Sequence, residues 1–324
     1  MPKELSMRLI TCLFLTFFLC MPAAVNAAEL HVSATIFPVW LLLRQVADNV
    51  RDVHVHCVIP SGTGCPHDYA LTPQDRKLLA QTDILVMNGL GMERFLGEGE
   101  SVLRLLKPGA SVIDASNGIH DLLPSGHKDA GHDHDMHHAH DHDHGSINPH
   151  IFASPALMAE MALSIGRQLS LRDAENALQY QSNAEACSQR LLMLAKECRE
   201  AGAALGKIQV LAQHDIFSYM AKDMGFAIAG FIQKHEGIDP SARDLLDLTM
   251  LIRSSKAAAV ITEPQYPGRS GKTLAAETGI PCIELDPLAS GPADTPKDYY
   301  EQTMRRNIHI LEQHLGNNAQ RSHF

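Results

Sequence analysis

The chain has 324 residues, 45% of them hydrophobic and 20% charged, and a net charge of −10. This composition suits one large globular protein or two modest lobes and argues against a disordered tail. The net negative charge argues against non-specific electrostatic binding to nucleic-acid phosphates, so no nucleic-acid partner is expected. Histidine occurs 19 times although aromatic residues make up only 5%. A hydrophobic core does not need so many imidazoles, so histidine indicates where the function lies.

Residues 1–27 have the features of a signal peptide. A short basic region precedes the apolar run Leu9–Met21, and Val25-Asn26-Ala27 supplies the small residues that a signal peptidase recognises. The apolar run, about 13 residues, is shorter than the roughly 20 needed to span a bilayer. Leu19 stands before Cys20, where a lipid-anchor site needs a small residue. We therefore expect cleavage near Ala27, export to the periplasm and no membrane insertion of the mature chain.

Five of the seven cysteines follow the predicted cleavage point, so at least one thiol stays unpaired. Cys187 and Cys198 lie in one predicted helix, where their axial separation of about 16 Å exceeds the roughly 7 Å limit between the Cα atoms of a disulfide. They cannot pair if that helix is continuous. Cys57 and Cys65 flank a turn, and the sequence leaves open whether they form a disulfide. The remaining cysteines, Cys187, Cys198 and Cys282, are expected to be small buried hydrophobic residues rather than reactive thiols.

Short β-branched runs alternate with amphipathic stretches, which predicts an α/β fold of two similar βα lobes around mostly parallel sheets. The first lobe covers residues 28–170 and the second residues 207–324. Strands are predicted at Leu30–Ile36, Val53–Ile59, Ile84–Asn88, Ser111–Asp114, Gln209–Ala212, Ala227–Ile232, Ala258–Thr262 and Cys282–Leu285. Helices are predicted at Val39–Asp48, Pro73–Gln81, Glu93–Leu106, Ser241–Ser254, Ser270–Thr278 and Lys297–Leu315.

The two lobes are expected to be joined by one long helix within residues 171–206. Asp173–Leu205 consists mostly of strong helix formers, without proline and with a single glycine, Gly202, near its end. Such a helix would be a rigid rod of roughly 50 Å. Because this connector lacks a flexible hinge, we expect a cleft between the lobes that closes only slightly.

Residues 117–147 interrupt the first lobe, and their central part, Gly126–Gly145, is rich in histidine and aspartate. Its histidines are His127, His132, His134, His137, His138, His140, His142 and His144. The segment has almost no apolar side chains to offset the entropy of ordering, so we predict a disordered loop. Imidazoles and carboxylates without a fixed scaffold bind Zn²⁺, Cu²⁺ and Ni²⁺ weakly, with changing ligand sets. The loop therefore indicates metal handling without identifying the metal.

A specific metal site needs a few ligands on ordered turns. Four candidates stand just after predicted strands or at helix starts, where α/β lobes present ligands: His67, His150, His214 and Asp286. Two of them come from each lobe. We therefore expect all four to face one cleft, an arrangement that suits a tetrahedral ion held between the lobes.

Five motifs stand in order along the chain. They are CPHDYALTP at Cys65–Pro73, NPHIFASP at Asn148–Pro155, HDIFSY at His214–Tyr219, TEPQ at Thr262–Gln265 and LDPL at Leu285–Leu288. Together they resemble the metal-binding solute-binding proteins of ABC importers, in particular the periplasmic zinc-uptake (ZnuA) type. The resemblance spans essentially the whole mature chain. It implies capture of Zn²⁺ in the periplasm and delivery to an inner-membrane ABC permease with its ATPase, without catalysis; we expect a monomer.

The resemblance also assigns roles to individual residues. The three histidine ligand positions of the family fall on His67, His150 and His214, and its acidic position falls on Asp286, with either Asp286 or water as the fourth ligand. Related manganese or iron binders tend to have glutamate at the third position. Three neutral imidazoles suit Zn²⁺ better than a harder ion, so His214 favours zinc. Glu263 resembles a family residue that lies behind the ligands.

Two residues depart from the family pattern. The second motif commonly begins with aspartate, whereas Asn148 can accept a hydrogen bond but adds no charge. Cys65 offers a thiolate that the family does not require, and a disulfide or a buried thiol is the favoured interpretation.

Other functions stay open at this point. One alternative is a manganese or iron solute-binding protein of the same family. A zinc hydrolase would use Glu263 or Asp215 as a base, but the chain has no HExxH spacing and no legible substrate pocket. A metal-dependent adhesin would be favoured by a lipid anchor, against which Leu19 argues. The histidine-rich loop either collects ions for the cleft or buffers their excess.

Overall fold

The computed structural model describes residues 29–64, 66, 69–97, 99–125, 147–233, 238–266 and 268–316. The predicted signal peptide, Cys65, His67 and the histidines of Gly126–Gly145 lie outside these ranges. Among the described helices, none combines the length and the apolar character needed to cross a bilayer.

The described residues form two four-stranded parallel sheets, which confirms the predicted α/β fold. The strands are β1 (Leu30–Ala34), β2 (Val53–Cys57), β3 (Ile84–Met87), β4 (Ser111–Asp114), β5 (Gln209–Ala212), β6 (Ala227–Phe231), β7 (Ala259–Thr262) and β8 (Cys282–Glu284). Their order is β2-β1-β3-β4 in the first sheet and β6-β5-β7-β8 in the second. The predicted strands are all present, with ends that differ by at most two residues.

Helices cover the faces of both sheets. They are α1 (Phe37–Val46), α2 (Pro73–Leu79), α3 (Glu100–Leu103), α4 (Pro155–Arg172), α5 (Ala177–Leu205), α6 (Ser218–Met224), α7 (Ala242–Ser255), α8 (Arg269–Thr278) and α9 (Tyr299–Leu315). Helix α2 begins as predicted, with Pro73 in the first turn and the Thr72 hydroxyl accepting a hydrogen bond from the Asp75 backbone N–H. The short helix α6 was not among the predicted elements.

The predicted helix Glu93–Leu106 is wrong as a single element. The structure has a 3₁₀ turn at Arg94–Leu96, followed by the four-residue helix α3. Between them, Gly97 and Gly99 have φ angles of 79° and 55°. A left-handed backbone cannot continue a right-handed helix, and glycine adopts it without a steric penalty.

Helix α5 connects the two sheets and has 29 residues, which corresponds to about 43 Å. It begins at Ala177 because α4 ends at Arg172 and a 3₁₀ turn intervenes. It also packs tightly against its neighbours. A Cβ added at Gly202 would lie 1.7 Å from the carbonyl oxygen of Met224 at the end of α6. This glycine therefore lets α5 and α6 approach closely.

One hydrophobic cluster extends through both lobes. It includes Val32 of β1, Leu42 of α1, Ile165 of α4, Leu191 of α5 and Val210 of β5, all at most 1% exposed. Burying such a side chain stabilises the fold by about 1.5–3 kcal/mol. The lobes therefore share one core, with smaller clusters on the outer faces of the two sheets.

The chain returns to the first lobe after β8. The Gly62 backbone N–H donates to the Gly291 carbonyl at 3.0 Å, and Arg44 on α1 donates to the Thr295 carbonyl at 3.0 Å. Lys297 forms an ion pair with Asp48. The lobes are consequently joined by this segment as well as by α5.

The described cysteines Cys57, Cys187, Cys198 and Cys282 are free thiols. The Cys57 thiol donates to the carbonyl of Ile59, and Cys65, with which the sequence allowed a disulfide, lies outside the described residues. Cys187 and Cys198 are buried on α5 as predicted, whereas Cys282 at the start of β8 is only partly buried. Burial raises the pKa of the Cys187 and Cys198 thiols to about 12, as expected for unreactive core residues.

Candidate metal centre

His150 comes from the first lobe, but residues of the second lobe hold its segment in place. The Tyr219 hydroxyl on α6 donates to the Asn148 carbonyl at 2.8 Å, and the Tyr300 hydroxyl on α9 donates to the Phe152 carbonyl at 2.8 Å. The Ser154 hydroxyl caps α4 and donates to Asp223 at 2.5 Å. These contacts fix the backbone of residues 148–154 at the boundary between the lobes.

Asn148 determines which nitrogen of the His150 ring carries the proton. Its Nδ2 lies 2.9 Å from the Asp215 carbonyl, which only accepts hydrogen bonds, so the amide oxygen must face His150. That oxygen accepts from the His150 backbone N–H at 2.9 Å and lies 2.8 Å from ring Nδ1. Nδ1 therefore donates, and the lone pair that can bind a metal is on Nε2.

His214 has a comparable arrangement in the second lobe. It lies two residues after the end of β5 and immediately before the 3₁₀ turn Asp215–Phe217, which orients the ring into the boundary between the lobes. Its Nδ1 lies 2.6 Å from Oε1 of Glu263, just after β7, and neither side chain is exposed to solvent. This is an ion-pair distance, and the Glu263 carboxylate stabilises a proton on Nδ1, so Nε2 is the nitrogen that we assign to a metal.

The two imidazoles meet edge to face, with centroids 5.4 Å apart and planes inclined at 79°. Asp215 joins them: its Oδ1 lies 3.4 Å from Nδ1 of His150. Three buried residues, His150, His214 and Asp215, each contribute one potential ligand atom, and these atoms lie within 4.8 Å of one another. Two buried carboxylates, Asp215 and Glu263, make this place favourable for a cation.

The other predicted site residues differ in what the structure shows. His67 lies outside the described residues. Asp286 follows β8 and is partly buried, and its Oδ1 accepts from the Leu288 backbone N–H at 2.9 Å and from Gln265 Nε2 at 3.2 Å. Burial raises the pKa of Asp286 above its usual value, although these hydrogen bonds oppose the shift. It does not belong to the group formed by His150, His214 and Asp215.

Asp215 was missed as a candidate ligand. The sequence placed it beside His214, where alternation along a strand would turn the two side chains to opposite faces. The 3₁₀ turn that starts at Asp215 brings its carboxylate to His150 instead. The DIF sequence after a strand end carries no reliable signal for such a turn.

A model of the family described as "Zinc-uptake complex component A periplasmic" (ZnuA) matches residues 32–314. The chain belongs to the ZnuA family. Among relatives of ZnuA type, the high-affinity zinc uptake system protein ZnuA of Bacillus subtilis (strain 168) is 29% identical over 300 residues, which cover 89% of this chain and 88% of that protein.

This ZnuA-family chain is also similar to proteins that are named for, or were solved with, manganese. The manganese ABC transporter substrate-binding lipoprotein PsaA of Streptococcus pneumoniae is 23% identical and covers 85% of this chain and 86% of its own length. The structure of the substrate-binding protein FpvC of Pseudomonas aeruginosa with Mn²⁺ superimposes with a TM-score of 0.74 at 24% identity, covering 90% of this chain and 99% of FpvC. That likeness concerns the fold. The chain is thus a substrate-binding component of a metal ABC transporter.

Proposed function

We propose that this protein captures Zn²⁺ in the periplasm and delivers it to an inner-membrane ABC permease. The observation that carries the proposal is the pair His150 and His214, whose Nδ1 atoms face Asn148 and Glu263 and whose Nε2 atoms we assign to the metal. His67 is the third proposed ligand, and either Asp286 or water completes a tetrahedral shell. The metal is cargo, so no reaction is assigned to the site.

Zinc is proposed over manganese because of the donor atoms. Imidazole nitrogens suit Zn²⁺, whereas Mn²⁺ prefers carboxylate and water oxygens. The second candidate, manganese uptake, is favoured by the carboxylate of Asp215 beside His150 and by the name of the relative PsaA. The balance of nitrogen and oxygen ligands therefore decides between the two metals.

The histidine-rich segment Gly126–Gly145 is proposed as an accessory collector or buffer of metal ions. Its many imidazoles bind without a fixed geometry, so each ion is held more weakly than by preoriented ligands. Deletion of Gly126–Gly145 should therefore remove weakly bound ions and leave the tightly bound ion at His150 and His214.

The decisive experiment measures Zn²⁺ and Mn²⁺ affinity by competition with a chelator. It compares the mature protein, a variant without Gly126–Gly145, and the double variant His150→Ala/His214→Ala. We expect the deletion variant to keep one tightly bound zinc and the double variant to lose it. His120→Ala, at an exposed histidine of the first lobe, is the matched control.

Loss of tight zinc binding on deletion of Gly126–Gly145 alone would show that the assignment of the cleft residues is wrong. Tighter binding of Mn²⁺ than of Zn²⁺ by the mature protein would favour the second candidate. Delivery is tested by growth: a strain lacking the gene should grow poorly in chelated medium, and added zinc should restore growth.

A further inference from the structure

A second group of imidazoles lies on the first sheet, away from His150 and His214. His31 is on β1, and His54 and His56 are on β2. The strands are parallel, and His31 is paired directly with His54. Because side chains two residues apart share one face of a strand, His56 projects to the same side.

The three rings form a stack at an open edge. The centroid of His31 is 5.4 Å from that of His54 and 5.5 Å from that of His56, with planes inclined by 26° and 23°. Strand β2 is one of the two edge strands of its sheet; His54 is exposed there, and His31 and His56 are partly exposed. The side chain of His54 is 48% exposed, and its Nε2 lies 3.6 Å from Oε2 of Glu29.

The distance between two ring nitrogens matches a metal site. Nδ1 of His31 and Nε2 of His56 lie 3.3 Å apart and share one hydrogen bond in the metal-free protein, so an ion bound between them would replace its proton. Two nitrogens bound tetrahedrally to one zinc, each at 2.0–2.1 Å, are about 3.3 Å apart. The two atoms therefore need no rearrangement of the backbone to hold one ion between them.

The surroundings of His56 keep its ring suitable as a ligand. Burial lowers the pKa of His56, and positive charge on His31 or His54 lowers it further, which favours the neutral form that binds metals. Two carboxylates add negative potential: Glu29 beside His54, and Asp83, which accepts from the His31 backbone N–H at 3.0 Å. The charge of Asp83 is shared with Lys107.

We propose that His31 and His56 form a second binding site for a borderline divalent cation such as Zn²⁺, Ni²⁺ or Cu²⁺. His54 or Glu29 supplies a third ligand after rotation of its exposed side chain, which costs little on an open face. With only two ligands already in place, the site binds more weakly and exchanges ions faster than the one at His150 and His214. It is independent of the function proposed for that pair.

The first test locates the ion. Crystals of the full mature chain are grown with excess NiCl₂, and anomalous differences are measured at the nickel absorption edge. We expect a peak between Nδ1 of His31 and Nε2 of His56, in addition to any peak at His150 and His214. A map with metal at His150 and His214 but none at His31 would overturn the proposal.

The second test counts ions by equilibrium dialysis of the zinc-loaded full chain against Ni²⁺. The double variant His31→Asn/His56→Asn should bind one ion fewer than the wild type. The matched control His309→Asn/His314→Asn, at two exposed histidines of α9, should bind the same number as the wild type. An unchanged count for the first variant would contradict the proposal.

Folding of the variants is checked by circular dichroism. Should the double variant not fold, Glu29→Gln/His54→Asn replaces it, because both residues are exposed and their substitution leaves the 3.3 Å nitrogen pair in place. It is expected to retain the ion and to weaken its binding about tenfold, whereas a stack with a purely structural role would leave binding unchanged.

Discussion

The amide oxygen of Asn148 accepts two hydrogen bonds from His150, one from the backbone N–H at 2.9 Å and one from ring Nδ1 at 2.8 Å. The amide nitrogen donates to the Asp215 carbonyl at 2.9 Å, which an aspartate side chain at this position could not do while ionised. Asn148 thus lacks the negative charge of the aspartate that is common at this position, but it links the segment of His150 to the segment of His214 by a hydrogen bond.

Asn148→Ala should lower zinc affinity about 10- to 100-fold, because the His150 ring loses the partner that fixes its orientation and tautomer. The measurement is competition with a zinc chelator at pH 7. Asn117→Ala, at an exposed asparagine of the same lobe, is the control and should bind like the wild type. Unchanged affinity of Asn148→Ala would mean that other contacts orient the ring.

His214→Glu tests the choice of metal. Glutamate replaces an imidazole nitrogen with a carboxylate and places it near Glu263, where the two negative charges repel unless a harder cation lies between them. Zinc affinity should fall at least tenfold, and the preference should shift toward Mn²⁺. The ratio of the two affinities is measured by isothermal titration calorimetry. An unaltered ratio would show that this residue does not determine specificity.

Glu93 should make the stability of the metal-free protein depend on pH. Burial raises the pKa of Glu93 to about 7 from 4.5, although the Thr35 hydroxyl and the Asn88 backbone N–H donate to it. Folding therefore favours the protonated carboxyl of Glu93, because its pKa is higher in the folded protein than in the unfolded chain. The stability that this protonated form contributes is complete below pH 4.5 and is lost as the pH rises through 7. It amounts to about 3 kcal/mol at most.

Urea unfolding of the wild type and of Glu93→Gln between pH 5 and pH 8, in the presence of a chelator, measures this contribution. The free energy of unfolding of the wild type should fall relative to that of the variant as the pH rises. Glu100→Gln, at an exposed carboxylate of α3, should run parallel to the wild type. If Glu93→Gln also ran parallel, the raised pKa would be refuted.

Gly202→Ala should destabilise the protein, because the added methyl group would lie 1.7 Å from the Met224 carbonyl oxygen and force α5 away from α6. Overpacking of this kind costs about 1–3 kcal/mol or more. Gly64→Ala is the matched control, since nothing lies within 4 Å of its added Cβ. Both are measured by urea unfolding, and equal stabilities would show that the helices separate without cost.

The strands were predictable because β-branched runs bounded by polar turns are strong local signals. The start of α2 was equally local, since Thr72 and Pro73 stand together at its first turn. The break between Arg94 and α3 was also visible in the sequence as Gly97 and Gly99, but amphipathic spacing on either side favoured one helix. Positive φ at both glycines outweighs that spacing.

The site was predictable only in part. The positions of His150 and His214 follow from strand ends and motifs, and the structure brings these two residues together. The contribution of Asp215 depends on a 3₁₀ turn and on a contact across lobes that no local pattern encodes. The same is true of the His31–His56 pair, which exists because β1 and β2 are in a particular register.

The anchoring of residues 148–154 by Tyr219, Tyr300 and Asp223 has a thermodynamic consequence. Folding already restricts the conformational freedom of this segment, so an ion bound at the proposed site would meet a preorganised pair of imidazoles. Preorganised ligands also slow the dissociation of a bound ion. If the metal is delivered as proposed, a partner that breaks the hydrogen bond of Tyr219 or Tyr300 to its backbone carbonyl would loosen the His150 ligand without opening the shared core.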